Sequence, residues 1–134
     1  MRLIPLASLI VTLLVAGCRH DKPVLQPQQA PPATVEKARQ IQAAYQRAAS
    51  GVVVGLVSDV NPDLYLAAVS EVAVSDFHPG DVVTFVDSNQ NPVTTGSVLR
   101  IAGNALHVKY DPPRLAGGRP PKVGDLMVRF MRSR

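Results

Sequence analysis

The sequence predicts a mainly β fold: a small six-stranded barrel built from two similar three-strand halves, preceded by one short helix and a disordered tether. Three observations point there. Apolar, β-branched runs of strand length recur from Val52 onward, bounded by Gly, Pro, Asn and Asp. A Gly-Asp pair stands before an apolar run twice, at Gly80-Asp81 and Gly124-Asp125. Helical spacing is confined to one segment ahead of Gly51, and a stretch dense in proline and glutamine precedes it.

Residues 1–17 come first. Arg2 carries a positive charge, Leu3 to Val15 is almost wholly apolar, and Ala16 and Gly17 are small. This is the layout of a secretory signal peptide. The apolar run, about thirteen residues interrupted by Pro5, falls short of the ~20 that span a bilayer. Val15-Ala16-Gly17-Cys18 resembles the lipobox of bacterial lipoproteins. In that family the cysteine receives a diacylglycerol, the chain is cut before it, and the new amino terminus is acylated. The resemblance implies lipidation of Cys18, and several acyl chains together anchor stably. Arg19 stands where the family's inner-membrane signal would be an aspartate. The resemblance therefore implies the outer membrane, on its periplasmic side. Cys18 is the only cysteine, so no disulfide is expected even in an oxidising compartment.

Residues 18–33 form the tether. Pro, Gln and charge dominate from Arg19 to Ala33, and such a chain is extended and semi-rigid, reaching ~45 Å at ~3 Å per residue. Residues 34–50 read as the helix. Thr34 is the expected cap, Glu36 sits in the first turn, and strong helix formers follow. Val35, Ala38, Ile41, Tyr45 and Ala48 make one narrow apolar stripe, expected to dock on the chain's own domain. Gly51 ends the helix.

Residues 51–134 hold the barrel, expected to be autonomous from about Ser50 onward. The strands are expected at Val52–Val57, Leu64–Val69, Asp81–Val86, Gly96–Ile101, Leu106–Tyr110 and Asp125–Met131. Asn61-Pro62-Asp63, Asp87 to Pro92 and Ala102-Gly103-Asn104 are turns. Asp111 to Lys122 carries four prolines and two glycines and must be a loop. With no Trp, three Phe and three Tyr, the core has to be made of Val, Leu, Ile and Ala.

The halves repeat. Gly55-Leu56-Val57 and Gly80-Asp81-Val82-Val83 recur as Gly96-Ser97-Val98 and Gly124-Asp125-Leu126-Met127. Glycine permits a positive φ at a sharp entry into a strand, and the aspartate can accept the N–H groups that the turn leaves open. Closing six strands into a barrel removes exposed edges. The two pairs resemble the GD box of the double-psi and related cradle-loop barrels, over residues 52–131. That resemblance implies a helix within each half. Ser70 to Ser75 is too short and β-branched for one, and the loop after Asp111 is too rich in proline, which leaves a small β-barrel.

No reaction is legible. Asp81 and Asp125 could be a carboxylate pair, one per half, but neither lies in the Asp-Thr/Ser-Gly context of two-fold aspartic hydrolases, and turn capping is the reading taken. His20, His78 and His107 lack metal-ligand spacing. Nucleophile-elbow, phosphate-loop and dinucleotide motifs are missing, so no cofactor, metal or catalytic residue is expected.

Charge divides the two halves. The charged residues from Gly51 to Thr95 are all acidic: Asp59, Asp63, Glu71, Asp76, Asp81 and Asp87. From Gly96 onward the bases Arg100, Lys109, Arg114, Arg119, Lys122, Arg129, Arg132 and Arg134 outweigh Asp111 and Asp125. Arg100, Lys109, Arg114, Arg119, Lys122 and Arg129 are the candidate basic binding surface. It would face an envelope protein, an anionic cell-wall surface or the acidic half of a second copy. Without interleaved aromatics a nucleic acid is not expected. The expected function is that of an outer-membrane-anchored periplasmic lipoprotein acting as a non-enzymatic interaction or scaffold module of the cell envelope. The alternative is a small cell-wall hydrolase using carboxylates at the barrel mouth. A convergent carboxylate pair would favour the enzyme, and aspartates bonded to turn amides would favour the module.

Overall fold

The computed structural model describes residues 31–114 and 116–131. The expected signal peptide, Cys18 and the tether up to residue 30 lie outside the described residues, as do Arg132 and Arg134. The chain forms α1 (Pro32–Ala48), β1 (Val52–Asn61), β2 (Leu66–Ser70), β3 (Val82–Val86), β4 (Pro92–Ala102), β5 (Ala105–Tyr110) and β6 (Leu126–Phe130). The strands close into a barrel in the order β1-β2-β5-β4-β3-β6. Every neighbouring pair is antiparallel.

Each expected strand is present. β4 starts earlier than expected, at Pro92, a position where a strand's first residue needs no donor. The turn before it is set by Asp87, whose Oδ1 accepts the N–H groups of Asn89 at 2.8 Å and Asn91 at 2.9 Å. Between β2 and β3 there is a single 3₁₀ turn, Val74–Asp76.

The two halves are related by a pseudo-two-fold. The hairpin β1–β2 matches β4–β5, and the pairing of β1 with β6 matches that of β4 with β3. Each hairpin carries one bulge, at Ser58 between Val57 and Asp59 and at Leu99 between Val98 and Arg100. Thr84 and Val128, equivalent residues of the two halves, pair directly across the β3–β6 seam, so the axis passes between them. Gly55 and Gly96 recur for a steric reason. A Cβ on Gly96 would lie 2.7 Å from the carbonyl oxygen of Lys109, and one on Gly55 would collide with Val69.

The barrel interior is filled. Val57, Val69, Phe85, Leu106, Val108 and Met127 are fully buried in one cluster. A second cluster lies outside the barrel wall. There Val35, Ile41, Tyr45 and Ala49 pack with Ala38 onto Val52, Val54, Leu56, Val86, Leu126 and Val128. The helix thus docks on its own domain, along the expected stripe except that Ala49 takes the place of Ala48.

Two expectations change here. The helix starts at Pro32, so Glu36 falls beyond its first turn, and Pro31 and not Thr34 is its N-cap. Proline suits the first helical position because its missing N–H would have had no partner there. Over most of their length β1 and β6 bury both faces, one in the barrel interior and one under α1, so α1 adds to the core.

Candidate functional site

The two Gly-Asp turns are the most constrained polar feature. Gly80 and Gly124 have φ +93° and +95°, the left-handed region that glycine enters without strain. Each turn docks on the first strand of the other half. Gly80 N–H donates to the Val98 carbonyl at 2.7 Å, and Val98 N–H donates to that of Asp81 at 2.8 Å. The matching pair joins Gly124 and Asp125 to Val57 at 3.0 and 2.9 Å. Each carboxylate then caps its own turn: Asp81 Oδ2 accepts the His78 N–H at 2.7 Å, and Asp125 Oδ2 accepts the Lys122 N–H at 2.9 Å.

An arginine closes each turn. Arg119 holds Asp125 through both terminal guanidinium nitrogens, at 2.6 and 2.8 Å. This bidentate bond raises the Arg119 pKa further above its usual value. Asp125 is only 2% exposed. Arg129 reaches Asp81 Oδ2 at 2.8 Å, donates to the Asp76 carbonyl at 2.7 Å and lies 5.1 Å from the Phe77 ring centroid, within cation–π range. The two aspartates do not converge. Each precedes the start of its strand, and β3 and β6 run antiparallel, so Asp81 and Asp125 sit at opposite ends of the seam. At ~3.3 Å per residue that is on the order of 15 Å or more, well beyond the ~5–9.5 Å of carboxylates that share one glycosidic bond.

The structure disperses the expected basic surface. Arg119 and Arg129 are in these internal pairs. Arg100 and Lys109 lie exposed on β4 and β5, and Arg114 borders a hollow of about 200 Å³ with Thr94, Thr95 and Asp111. Arg119 and Lys122 meet at the rim of a larger cleft, about 560 Å³, between α1 and the loop entering β6. Its other walls are Lys37 and Ile41 of α1 and Asp87, Ser88 and Asn89 of the β3–β4 turn. Lys37 is the residue sequence reasoning missed, because its distance in sequence from Lys122 hides their proximity. Among the described residues neither lysine is in an ion pair. Asp87 stays ionised, its pKa lowered chiefly by the Asn91 N–H. With Arg119 and Asp125 paired, the two ammonium ions of Lys37 and Lys122 outnumber the Asp87 carboxylate, so the cleft can take a small anionic or hydroxyl-rich group, with these ammonium ions and the amide of Asn89 as contacts.

Among the described residues no three His, Cys, Asp or Glu side chains are grouped as metal ligands, and no helix is long and apolar enough to cross a membrane. Compared with family models, curated proteins and solved structures, the chain matches none.

Proposed function

We propose that this chain is a lipid-anchored, non-enzymatic binding module of the bacterial cell envelope, held at the periplasmic face of the outer membrane. The observation that carries the reading is the state of the two Gly-Asp carboxylates. Both accept turn amides and are paired with arginine at opposite ends of one seam. Groups held in this way hold a barrel shut and are not placed for acid–base work on a substrate, which needs a free carboxylate within hydrogen-bond reach. The filled interior supports the same reading, and the address rests on Val15-Ala16-Gly17-Cys18. The contact surface is the cleft flanked by Lys37 and Lys122, and its ligand an anionic group of the envelope.

Two measurements test this. Cys18→Ala is expected to leave the chain uncleaved or to move it out of the membrane fraction; wild-type processing and fractionation of that variant would refute the anchor. The full chain is expected to co-sediment with purified sacculi at low salt and less so at high salt, since exposed charges are screened within ~10 Å. Lys37→Glu with Lys122→Glu should reduce that binding at least fivefold while the thermal melt stays unchanged. Binding that ignores both charges would remove the cleft from the proposal. A shift to anionic vesicles, or to self-association in sedimentation, would replace the cell wall with lipid or a second copy as the partner.

A further inference from the structure

Among the described residues, the pseudo-two-fold relates a covered row on the barrel's outer wall to an uncovered one. On the outer wall, Val86, Leu126 and Leu56 are cross-strand neighbours on β3, β6 and β1, and α1 covers them, so that none is more than 5% exposed. The two-fold maps this row onto Phe130, Val82 and Ser97. Val82 pairs with Ser97, and the Thr84–Val128 register continued by two residues sets Val82 against Phe130. No described element covers the second row: Val82 is 70% and Phe130 65% exposed. Phe130 also pairs with Val52, which belongs to the helix-covered cluster. The bare row thus continues an apolar surface that already seats a helix.

We infer that this row is a second helix-docking site, and that its occupant is a partner's amphipathic helix with an acidic polar face. The charge follows from the flank. Ser97 pairs with Lys109, and Arg100 with His107, on the neighbouring strand. Arg100 Nε donates to His107 Nδ1 at 3.0 Å. Burial and the nearby Arg100 charge lower the histidine's pKa, so the flank keeps its positive charge on Arg100 and Lys109. Of the carboxylates on the neighbouring segments, Asp81 is paired with Arg129, while Asp111 accepts from Thr95 Oγ1 at 2.8 Å and keeps its charge, so Arg100 and Lys109 leave the flank one positive charge in excess. A second copy fits poorly. Its α1 carries Lys37, Arg39 and Arg47 against Glu36 alone and is already seated. Two such rows face to face would bring Lys109 and Arg100 toward their own copies.

The probe is a synthetic peptide with the length of α1 and its apolar positions Val35, Ala38, Ile41 and Tyr45, in which Lys37, Arg39 and Arg47 are replaced by Glu. It is titrated into the isotopically labelled full chain in detergent. The expected result is saturable binding with amide shifts centred on Val82, Thr84, Ser97 and Phe130. Val82→Glu and, separately, Phe130→Glu should weaken it at least tenfold. Leu64→Glu, an exposed apolar site elsewhere, should not. Both substituted positions are exposed, and a melt of each variant checks that it remains folded. Three results overturn the inference: no saturable binding, shifts confined to Leu56 and Leu126 because the peptide merely displaces α1, or Phe130-dependent binding of anionic vesicles in place of the peptide. The Lys37–Lys122 cleft is tested separately, by the loss of binding to sacculi in Lys37→Glu with Lys122→Glu, and these outcomes depend on Val82 and Phe130 instead.

Discussion

Asp125→Asn is expected to lower the unfolding free energy by about 2–4 kcal/mol, against about 1–2 kcal/mol for Asp81→Asn. The two positions are equivalent in the fold and differ in surroundings. Breaking a buried ion pair leaves an uncompensated charge and costs ~3–5 kcal/mol. The Asp125 side chain is 3% exposed but Arg119 is 32% exposed, so water partly solvates the abandoned guanidinium and the loss falls below the top of that range. Asp81 and Arg129 are each about a fifth exposed, at 21% and 20%, and Arg129 keeps its bond to the Asp76 carbonyl and its place over Phe77. Asparagine retains an oxygen for the capping N–H but, at position 125, sets its NH2 against an Arg119 donor, so the loss there combines the charge with one hydrogen bond. Urea denaturation of the two variants and the parent would measure it. A neutral Asp125→Asn would mean that the arginine pair contributes nothing to the turn, and equal losses at both sites would mean that the deeper burial of Asp125 makes no difference.

Removing α1 is expected to be at least as damaging. A fragment beginning at Ser50 re-exposes Val52, Val54, Leu56, Val86, Leu126 and Val128 on the outer wall. At ~25 cal/mol per Å² of apolar surface, partial exposure of six such side chains costs on the order of 5 kcal/mol. That is comparable with the whole ~5–12 kcal/mol available to a domain of this size. The fragment should therefore lose its cooperative melt or bind a hydrophobic dye, and added α1 peptide should restore the fold. A cooperative melt within about 1 kcal/mol of the full chain would make the helix a dispensable appendage. For the same reason Leu126→Asp and Val83→Asp should both unfold the domain from different sides: Leu126 belongs to the helix interface and Val83 to the barrel interior.

Local chemistry made much of this fold legible. Runs rich in β-branched residues mark β1, β3 and β4, because side-chain crowding acts within a residue or two, and short apolar or alternating runs mark β2, β5 and β6. Gly80 and Gly124 mark the sharp entries into β3 and β6, because a positive φ is a property of one residue. The capping roles of Asp81 and Asp125 follow from hydrogen bonds that span three residues. The apolar stripe of α1 was readable for the same reason, since its period lies within a few turns.

Local preferences therefore suffice for the strands, the repeat, the two turns and a helix with one face to bury. Where that face goes depends on long-range packing. Alternation along Leu126, Met127 and Val128 separates two faces of β6 but not inside from outside, and here both are buried, one by the barrel and one by α1. The candidate site was equally hidden. That Arg119 and Arg129 are held by aspartates while Lys37 lines the same cleft as Lys122 depends on closing six strands in the order β1-β2-β5-β4-β3-β6. Closure brings charges together across loops and halves that no short-range preference connects.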